Sequence, residues 1–585
     1  MNMRIPASYK YCLLCLFVLA ACSKNKSVKP VTTGGDDTTV TITPQKDPVT
    51  APSVGFFLDD WTPKTFVAPT YSTVAVPSGN ATVTINVDYS TVITKVPKYL
   101  FGNNAGAYLP QLATSPGLIN SIKNLSPNIL RFPGGSISDV YFWDGIVPAD
   151  VPNSLFDSNG NPAPVVYWFG SNTPAWQLSL ANYYTALQQT NSTGIITINY
   201  GYARYGTSTH PDQVAAHLAA NWVRYDKGRT KYWEIGNEDY GAWEDGYKID
   251  ITKNKDGQPA IITGALYGQH FKVFADSMHA AASEVGAQIK IGALLNGTAP
   301  ASWNTVGLTW EQGYFASAGN AADFYIVHDY FTGTDNETAA VILNTAATES
   351  AAVMSYMNAT TTKNGVSLKP IALTEWNIFA TGSRQMVSNV AGMHADLVLG
   401  ELLKNQFGMS SRWDLINGWG TTGDDLGMFS SGEPSVTDNT PQPVFYHMYY
   451  FQKYFGDRMI KSTVQNSSAV LTQNIGDIVS YASSFTSGEA GVVIVNKGTA
   501  SQIVNVNITN FVPGTRYYYY TLVGGTDNGE FSQKVYINGN GPDISTVGGP
   551  SGYQTLSAVS SSLTGGIKVL APPRSVIFLV ADGKK

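Results

Sequence analysis

Two changes of pattern along the 585 residues predict a two-part α/β chain, a (β/α)8 (TIM) barrel followed by an antiparallel β-sandwich. Between residues 98 and 455, eight short apolar runs alternate with amphipathic stretches or long loops, as parallel strands joined by crossover helices do. From residue 456 to 583 helical periodicity stops, and short β-branched and aromatic runs broken by Gly, Asn and Pro take over. A doubly wound sheet is the alternative for the first part, but no Gly-rich phosphate fingerprint follows any of its runs.

The first 21 residues read as a signal peptide, with Arg4 and Lys10 ahead of an apolar stretch too short for a comfortable transmembrane span. They end in Leu19-Ala20-Ala21 before Cys22, which resembles the lipobox of bacterial lipoproteins and implies a lipid on Cys22. All three cysteines (12, 15 and 22) fall here, so the mature chain is expected to have no disulfide and no zinc–thiolate site. The reading is an exported lipoprotein that meets the membrane only through this anchor. Ser23 after the lipid cysteine fits the outer membrane. Residues 22–53, rich in Thr, Pro, Lys and Gly, read as a flexible tether. Residues 54–97 follow, and ATVTINVDYSTVITKV (81–96) within them is expected to add a strand to the sandwich.

The eight barrel runs are YLFGNNAGAY (99–108), NILRFPGG (128–135), GIITINYG (194–201), KYWEIGNE (231–238), IKIGALLN (289–296), FYIVHDYF (324–331), PIALTEWN (370–377) and DLINGWG (414–420). Helical segments such as DQVAAHLAANWVRY (212–225) and GQHFKVFADSMHAAASEVG (268–286) lie between them.

The formal charge of −6 gives no support to a nucleic-acid partner, whose phosphates require a basic surface. The 12% share of aromatic residues suits either core packing or the stacking of sugar faces. No cofactor and no metal are expected. The seven histidines (210, 217, 270, 279, 328, 394, 447) show no HExxH spacing, and Asp424-Asp425 reads as an exposed acidic loop rather than a calcium site.

The chemistry is carried by carboxylates at strand ends. Cleaving a glycosidic bond takes one carboxyl that donates a proton and one that is ionised. Barrel enzymes hold such groups at the C-terminal ends of strands. Run four ends in Glu238 and run seven delivers Glu375, each beside Trp and Asn residues, on strands that nearly face one another.

WEIGNE and TEWN in these places resemble the clan of retaining (β/α)8-barrel glycosidases. With ILRFPGGSISDVYFWDG (129–145), they look most like the α-L-arabinofuranosidases of glycoside hydrolase family 51. The resemblance implies that Glu238 is the general acid/base and Glu375 the nucleophile. It implies that Asn237 bonds the sugar 2-hydroxyl, that Arg131 bonds Glu375, and that His328 and Tyr330 orient nucleophile and sugar. It puts Trp376 in a subsite wall. Trp419, closing the eighth run, joins the substrate-binding candidates. A cation beside Glu375 would lower its pKa, while Trp233 and Tyr240 around Glu238 would raise that of the acid. For a retaining mechanism the carboxyls should stand about 5–5.5 Å apart.

Bland readings stand beside these: Arg131 as a barrel-mouth salt bridge, Trp376 and Trp419 as core, Asp239, Glu234 and Asp144 as loop or ion-pair residues. Gly134-Gly135 reads either as a close approach to substrate or as a plain turn. The family usually places an acidic residue after the first strand; here Asn103 and Asn104 stand there and are taken as its replacements for gripping hydroxyls. Three functions remain open: an exo-acting α-L-arabinofuranosidase on arabinan or arabinoxylan, an endo-acting β-glycanase of the same clan, and a non-hydrolytic sugar-binding lipoprotein.

Overall fold

Parallel strands β1 (Gly102–Asn104), β2 (Ile129–Phe132), β3 (Thr193–Ile198), β4 (Tyr232–Ile235), β5 (Lys290–Leu294), β6 (Phe324–Tyr330), β7 (Ile371–Asn377) and β8 (Met409–Arg412) close into an eight-stranded barrel. This computed structural model describes residues 42–333, 337–420, 423–466 and 475–584. The signal-like segment 1–21, Cys22 and residues 23–41 lie outside the described residues.

Helices α1 (Pro116–Leu125), α2 (Leu180–Thr190), α3 (Pro211–Asp226), α4 (Gly264–Glu284), α5 (Gly307–Ala318), α6 (Ala339–Lys363), α7 (Asn389–Lys404) and α8 (Pro443–Tyr454) follow the strands in turn. Their starts are local chemistry. Ser179, Thr263, Thr338 and Ser388 accept bonds from first-turn amides of α2, α4, α6 and α7, and α1, α3 and α8 open on proline. The strands are buried along nearly their whole length, as strands covered by helices and filled by side chains must be.

The eighth strand is not DLINGWG (414–420) but the preceding Met409–Arg412. Its sequence, MSSR, is mostly polar, and its register with β1 and β7 is set by neighbours rather than by an apolar run. Ser410 Oγ, for example, donates to the Leu100 carbonyl at 2.6 Å. Residues 414–420 are therefore loop, and Trp419 with them.

The second part is an eleven-stranded sheet. Its order is Tyr71–Thr73, Ala558–Ser562, Pro513–Val523, Ser575–Gly583, Ala490–Asn496, Ile478–Ser484, Arg458–Asn466, Val83–Lys95, Gln502–Thr509 and Ile567–Ala571, with Tyr536–Ile537 off Pro513–Val523. The sheet curls on itself, so that Ile85, Val492, Ile494, Val504, Val569, Ile577 and Leu579 share one core. It is mixed rather than wholly antiparallel. Val83–Lys95 runs parallel to Gln502–Thr509, and Tyr71–Thr73 parallel to Ala558–Ser562. Both exceptions involve strands from the N-terminal segment, which no short hairpin ties to its neighbours.

The tether ends earlier than residue 53. Asp47 pairs with Arg458 at 2.6 Å and Lys95 at 3.2 Å, and Gln45 bonds the Tyr89 carbonyl and Ser484. Charge pairs and hydrogen bonds hold this stretch, and composition does not reveal them. Beyond it, Ser53 accepts from the Ile371 amide at the start of β7, and Phe56 and Phe57 pack on Tyr232 and Phe324. Those residues begin β4, β6 and β7, so the N-terminal segment stoppers the barrel at the N-terminal ends of its strands.

The sheet packs on α7 and α8. Tyr481 donates to Glu401 at 3.0 Å, and its ring leaves no room for a Cβ at Gly400. Tyr450 and Tyr454 of α8 lie against Tyr520. No helix among the described residues is long and apolar enough to cross a membrane.

Candidate active site

Arg131, on β2, is fully buried and organises the C-terminal mouth of the barrel. Its Nε donates to Glu234 Oε2 at 2.6 Å, Nη1 to Glu375 Oε1 at 2.7 Å and to Asn104 Oδ1 at 3.1 Å, and Nη2 to Asn237 Oδ1 at 2.9 Å. Burial alone would pull the guanidinium pKa down, but the Glu234 and Glu375 charges outweigh it and raise the pKa. One fixed cation thus spans β1, β2, β4 and β7. Glu234 is an ion-pair residue, as its bland reading had it, and it also accepts from Thr197.

Glu375 is held on both oxygens. Oε1 takes the Arg131 bond, and Oε2 accepts from the Tyr330 hydroxyl at 2.9 Å. The Tyr330 ring stacks on Phe379 with centroids 4.3 Å apart, which fixes that hydroxyl's direction. His328, two residues earlier on β6, reaches toward both carboxylates. Its Nδ1 bonds Glu238 Oε1 at 2.8 Å and stands 3.8 Å from Glu375 Oε1, while Nε2 bonds Thr374 Oγ1 at 3.0 Å.

Glu238 lies three residues past β4, with φ of 45°, a left-handed conformation that is costly for a residue bearing a Cβ. Its Oε2 accepts from the Trp243 indole at 2.7 Å. Burial pushes its pKa up, but the His328 bond and charge, the Trp243 bond and the Arg131 charge together hold it below the ordinary 4.5. The expectation of an acid raised by Trp233 and Tyr240 is thus corrected. Trp233 is buried against Trp222 and Tyr240 against Trp310, while the groups at the carboxylate are His328 and Trp243. His328 moves the other way: burial lowers it, and the Glu375 and Glu238 charges raise it above 6.5. Both shifts favour a proton on the imidazole side of the pair.

A carboxylate oxygen of Glu238 and one of Glu375 lie within 4.8 Å of each other, with a His328 nitrogen inside the same span. So close an approach is compatible with the ~5–5.5 Å carboxyl separation of retaining pairs.

The other expected residues divide. Asn237 faces Arg131 and donates to Glu244 Oε1 at 2.9 Å. Asn104 is not free to grip a hydroxyl: its amide donates to the Thr374, Ser411 and Arg412 carbonyls, and its oxygen accepts from Arg131. Asn103 is buried with neither amide atom hydrogen-bonded. Trp376 is 1% exposed and belongs to the hydrophobic core, so it forms no subsite wall. Trp419 sits in the loop after β8, with Arg384 over its ring. Asp425 is buried rather than exposed; burial lifts its pKa to about 6.

Several site residues were not foreseen. Trp243, five positions after Glu238, is the nearest in sequence, and its place behind a catalytic-type motif is the one signal that pointed to it. Tyr108 donates to Asp414 Oδ2 at 2.5 Å and packs on Trp413, whose ring lies against Gly135. Gly134 and Gly135 have φ of 68° and 64°, and a Cβ on Gly135 would stand 2.6 Å from the Trp413 ring. Their purpose is to admit that indole. Burial raises Asp414 to about 8, with the Asp425 and Glu375 charges adding to it against the Tyr108 bond.

No family model matches the chain. Among curated relatives, the α-L-arabinofuranosidase C of Emericella nidulans is 26% identical over 138 residues, 22% of this chain and 25% of that protein. The intracellular exo-α-L-arabinofuranosidase of Bacteroides ovatus is 25% identical over 194 residues, 30% of this chain and 37% of that one. The chain therefore spans about a quarter to a third of the length of these relatives. Solved structures align far more widely. The α-L-arabinofuranosidase of Thermotoga maritima, in an arabinose complex, gives a TM-score of 0.57 at 18% identity over 85% of this chain and 99% of that one. The family 51 α-L-arabinofuranosidase of Thermotoga petrophila gives 0.58 at 18%, over 85% and 99%. A bifunctional glucanase–xylanase from a metagenome library, CelM2, gives 0.56 at 13%, over 86% and 100%. The chain has the fold of these barrel-and-sheet glycoside hydrolases.

Proposed function

We propose that the protein is a retaining glycoside hydrolase, and that its activity is that of an α-L-arabinofuranosidase on plant arabinan or arabinoxylan. The observation that carries the reading is the Glu238–Glu375 pair, an oxygen of each within 4.8 Å of the other and His328 reaching both. Glu375, aimed by Arg131 and Tyr330, attacks the anomeric carbon and forms a glycosyl ester. The proton shared by Glu238 and His328 passes through Glu238 to the departing oxygen. Water then attacks the ester while Glu238 takes its proton, and Glu375 is released. The similarity to arabinofuranosidases in both sequence and fold supports the choice of sugar.

An endo-acting glycanase on xylan or glucan is the second reading. It is favoured by the fold shared with a glucanase–xylanase and by the half-exposed indole of Trp243 beside the acid. The polar sequence of the site, with both carboxylates in place, gives a non-hydrolytic binder no support. Proton NMR of products from arabinan, arabinoxylan, xylan and mixed-linkage glucan, with Glu375→Ala as control, separates these readings. Free arabinose of retained configuration establishes the first, and oligosaccharides the second. The exported-lipoprotein reading belongs here too: labelled palmitate should enter the native protein and not Cys22→Ser.

A further inference from the structure

The loop that carries the acid, residues 236–244, is strained at Glu238 and tied back on itself. Glu238 holds φ of 45°, a conformation that persists only where its surroundings over-determine it. Within the loop the Gly241 amide donates to the Glu238 carbonyl at 2.6 Å, and the Glu244 amide to the Gly241 carbonyl at 3.2 Å. The side chain of Glu244 then turns back. Its Oε1 accepts from Asn237 Nδ2 at 2.9 Å and from Ser136 Oγ, in the turn leaving β2, at 3.0 Å. Glu244 directly follows Trp243, whose indole bonds Glu238 Oε2. One carboxyl oxygen therefore fastens the residue before the acid, and the residue after the indole, to a neighbouring strand.

We propose that Glu244 is a positioning residue, whose carboxyl clamps Asn237 and fixes the aim of Glu238 at the departing oxygen. The inference rests on the hydrolase reading above and adds to it a group that acts through its neighbours. Its first support is the sequence of contacts. Arg131 bonds Asn237 Oδ1 and Glu244 takes Nδ2 of the same amide, so that amide has one orientation. Its second is burial. Asn237 and Glu244 are both buried, so a bond lost between them is not replaced by water. Its third is the division of labour in the carboxyl: Oε1 accepts two bonds and Oε2 makes none. Burial, then the Asp139 and Glu238 charges, push the Glu244 pKa well above the usual carboxylate range, against the Ser136 and Asn237 bonds. Asp139 and Asp239 beside it are pushed up likewise, chiefly by burial. Arg204, whose charge reaches Asp239, spends its donors on the Gly246, Pro259 and Ala260 carbonyls and on Gln258. Glu244 thus works as a neutral acid that presents one oxygen as an amide carbonyl would.

The test compares Glu244→Leu, which keeps the bulk and removes both bonds, with Glu244→Gln, which keeps an acceptor and carries no charge. Glu244→Leu is expected to lose about 10²-fold in kcat/KM on an unactivated glycoside, through a misaimed acid. On a nitrophenyl glycoside, whose departure needs no proton, the loss should be no more than about tenfold. Glu244→Gln should rescue both to within about threefold of native. A readout without substrate accompanies these: magnetic resonance of the His328 ring, whose pKa the Glu375 charge and the Glu238 bond and charge raise against burial. That titration should move to lower pH in Glu244→Leu and keep its place in Glu244→Gln. Ser136→Ala, which removes one bond and leaves the carboxyl, should show the same pattern in smaller measure. It carries the test if Glu244→Leu fails to fold. Losses as large in Glu244→Gln as in Glu244→Leu, equal losses on the two glycosides, or a His328 titration that no substitution moves would each overturn the proposal. A native protein that cleaves no glycoside would refute the hydrolase reading instead, and the imidazole titration would still decide whether Glu244 aims Glu238.

Discussion

Arg131 and Glu375 meet at 2.7 Å in a place where the arginine side chain has no exposed surface. The same guanidinium bonds Glu234 at 2.6 Å, so one cation neutralises two buried carboxylates. Removing it strands both. Arg131→Ala is expected to destabilise the protein by about 3–5 kcal/mol, the usual result of breaking a buried ion pair from one side. Arg131→Lys keeps a charge but lacks the planar fork that reaches Glu234, Glu375 and Asn237 at once. It should fold, yet lose about 10²-fold in kcat/KM through a misplaced nucleophile. Denaturant unfolding and steady-state kinetics on the two variants check both halves.

Glu238→Ala separates the two chemical steps. With an unactivated glycoside, kcat should fall roughly 10²–10⁴-fold, the typical contribution of a positioned acid. A nitrophenyl glycoside needs no proton for its departure, so its first step should survive. The ester would then accumulate, seen as a burst of nitrophenolate followed by a slow steady state.

The pH profile follows from the Glu238–His328 pair. His328 is raised above its ordinary 6.5, so the proton needed for leaving-group departure is lost only as pH climbs past that value. Glu238 is held below its ordinary 4.5, so a second proton enters the pair only under more acid conditions. The two ionisations belong to the pair jointly. A plot of kcat/KM against pH should be a broad bell with its acid limb below 4.5 and its basic limb above 6.5. A basic limb below 6 would contradict the pairing.

Asp414 gives a stability signature instead. Its native pKa of about 8 exceeds the ordinary 3.8, so the folded state keeps a proton that the unfolded chain releases. The group's contribution is therefore most favourable below about pH 4 and declines as pH rises toward 8. Asn at this position keeps the Tyr108 bond and never ionises. The Tm advantage of Asp414→Asn over the native protein should widen from pH 4 to pH 8 and then level off, as calorimetry would show.

The barrel and the carboxyl pair were legible because each rests on local pattern: apolar runs at regular spacing, and Glu238 and Glu375 in their short motifs. Arg131, His328, Tyr330 and Asn237 were likewise legible by resemblance and converge in space. What stayed hidden depends on distant partners. MSSR becomes a buried strand only because β1 and β7 flank it. The direction of the Glu238 shift depends on His328, 90 positions away, and on an indole whose aim no motif encodes. Asn104 looked available to a sugar until Thr374, Ser411 and Arg412 supplied its acceptors.

The strand Val83–Lys95 lies between Arg458–Asn466 and Gln502–Thr509, and the Ile503 amide donates to Thr82 across 421 positions of chain. Synthesis runs from the N-terminus, so this strand emerges long before either of its neighbours exists. Until they arrive, its row of unpaired amides and carbonyls and its apolar face have nowhere to go. The sheet therefore closes last, and a ribosome stalled after the barrel would hold a finished catalytic half beside an orphaned strand. Cutting the gene after the barrel would recreate that half-made state, so the unit expected to mature by itself takes in Asp47, the Phe56–Phe57 stopper and the whole sheet.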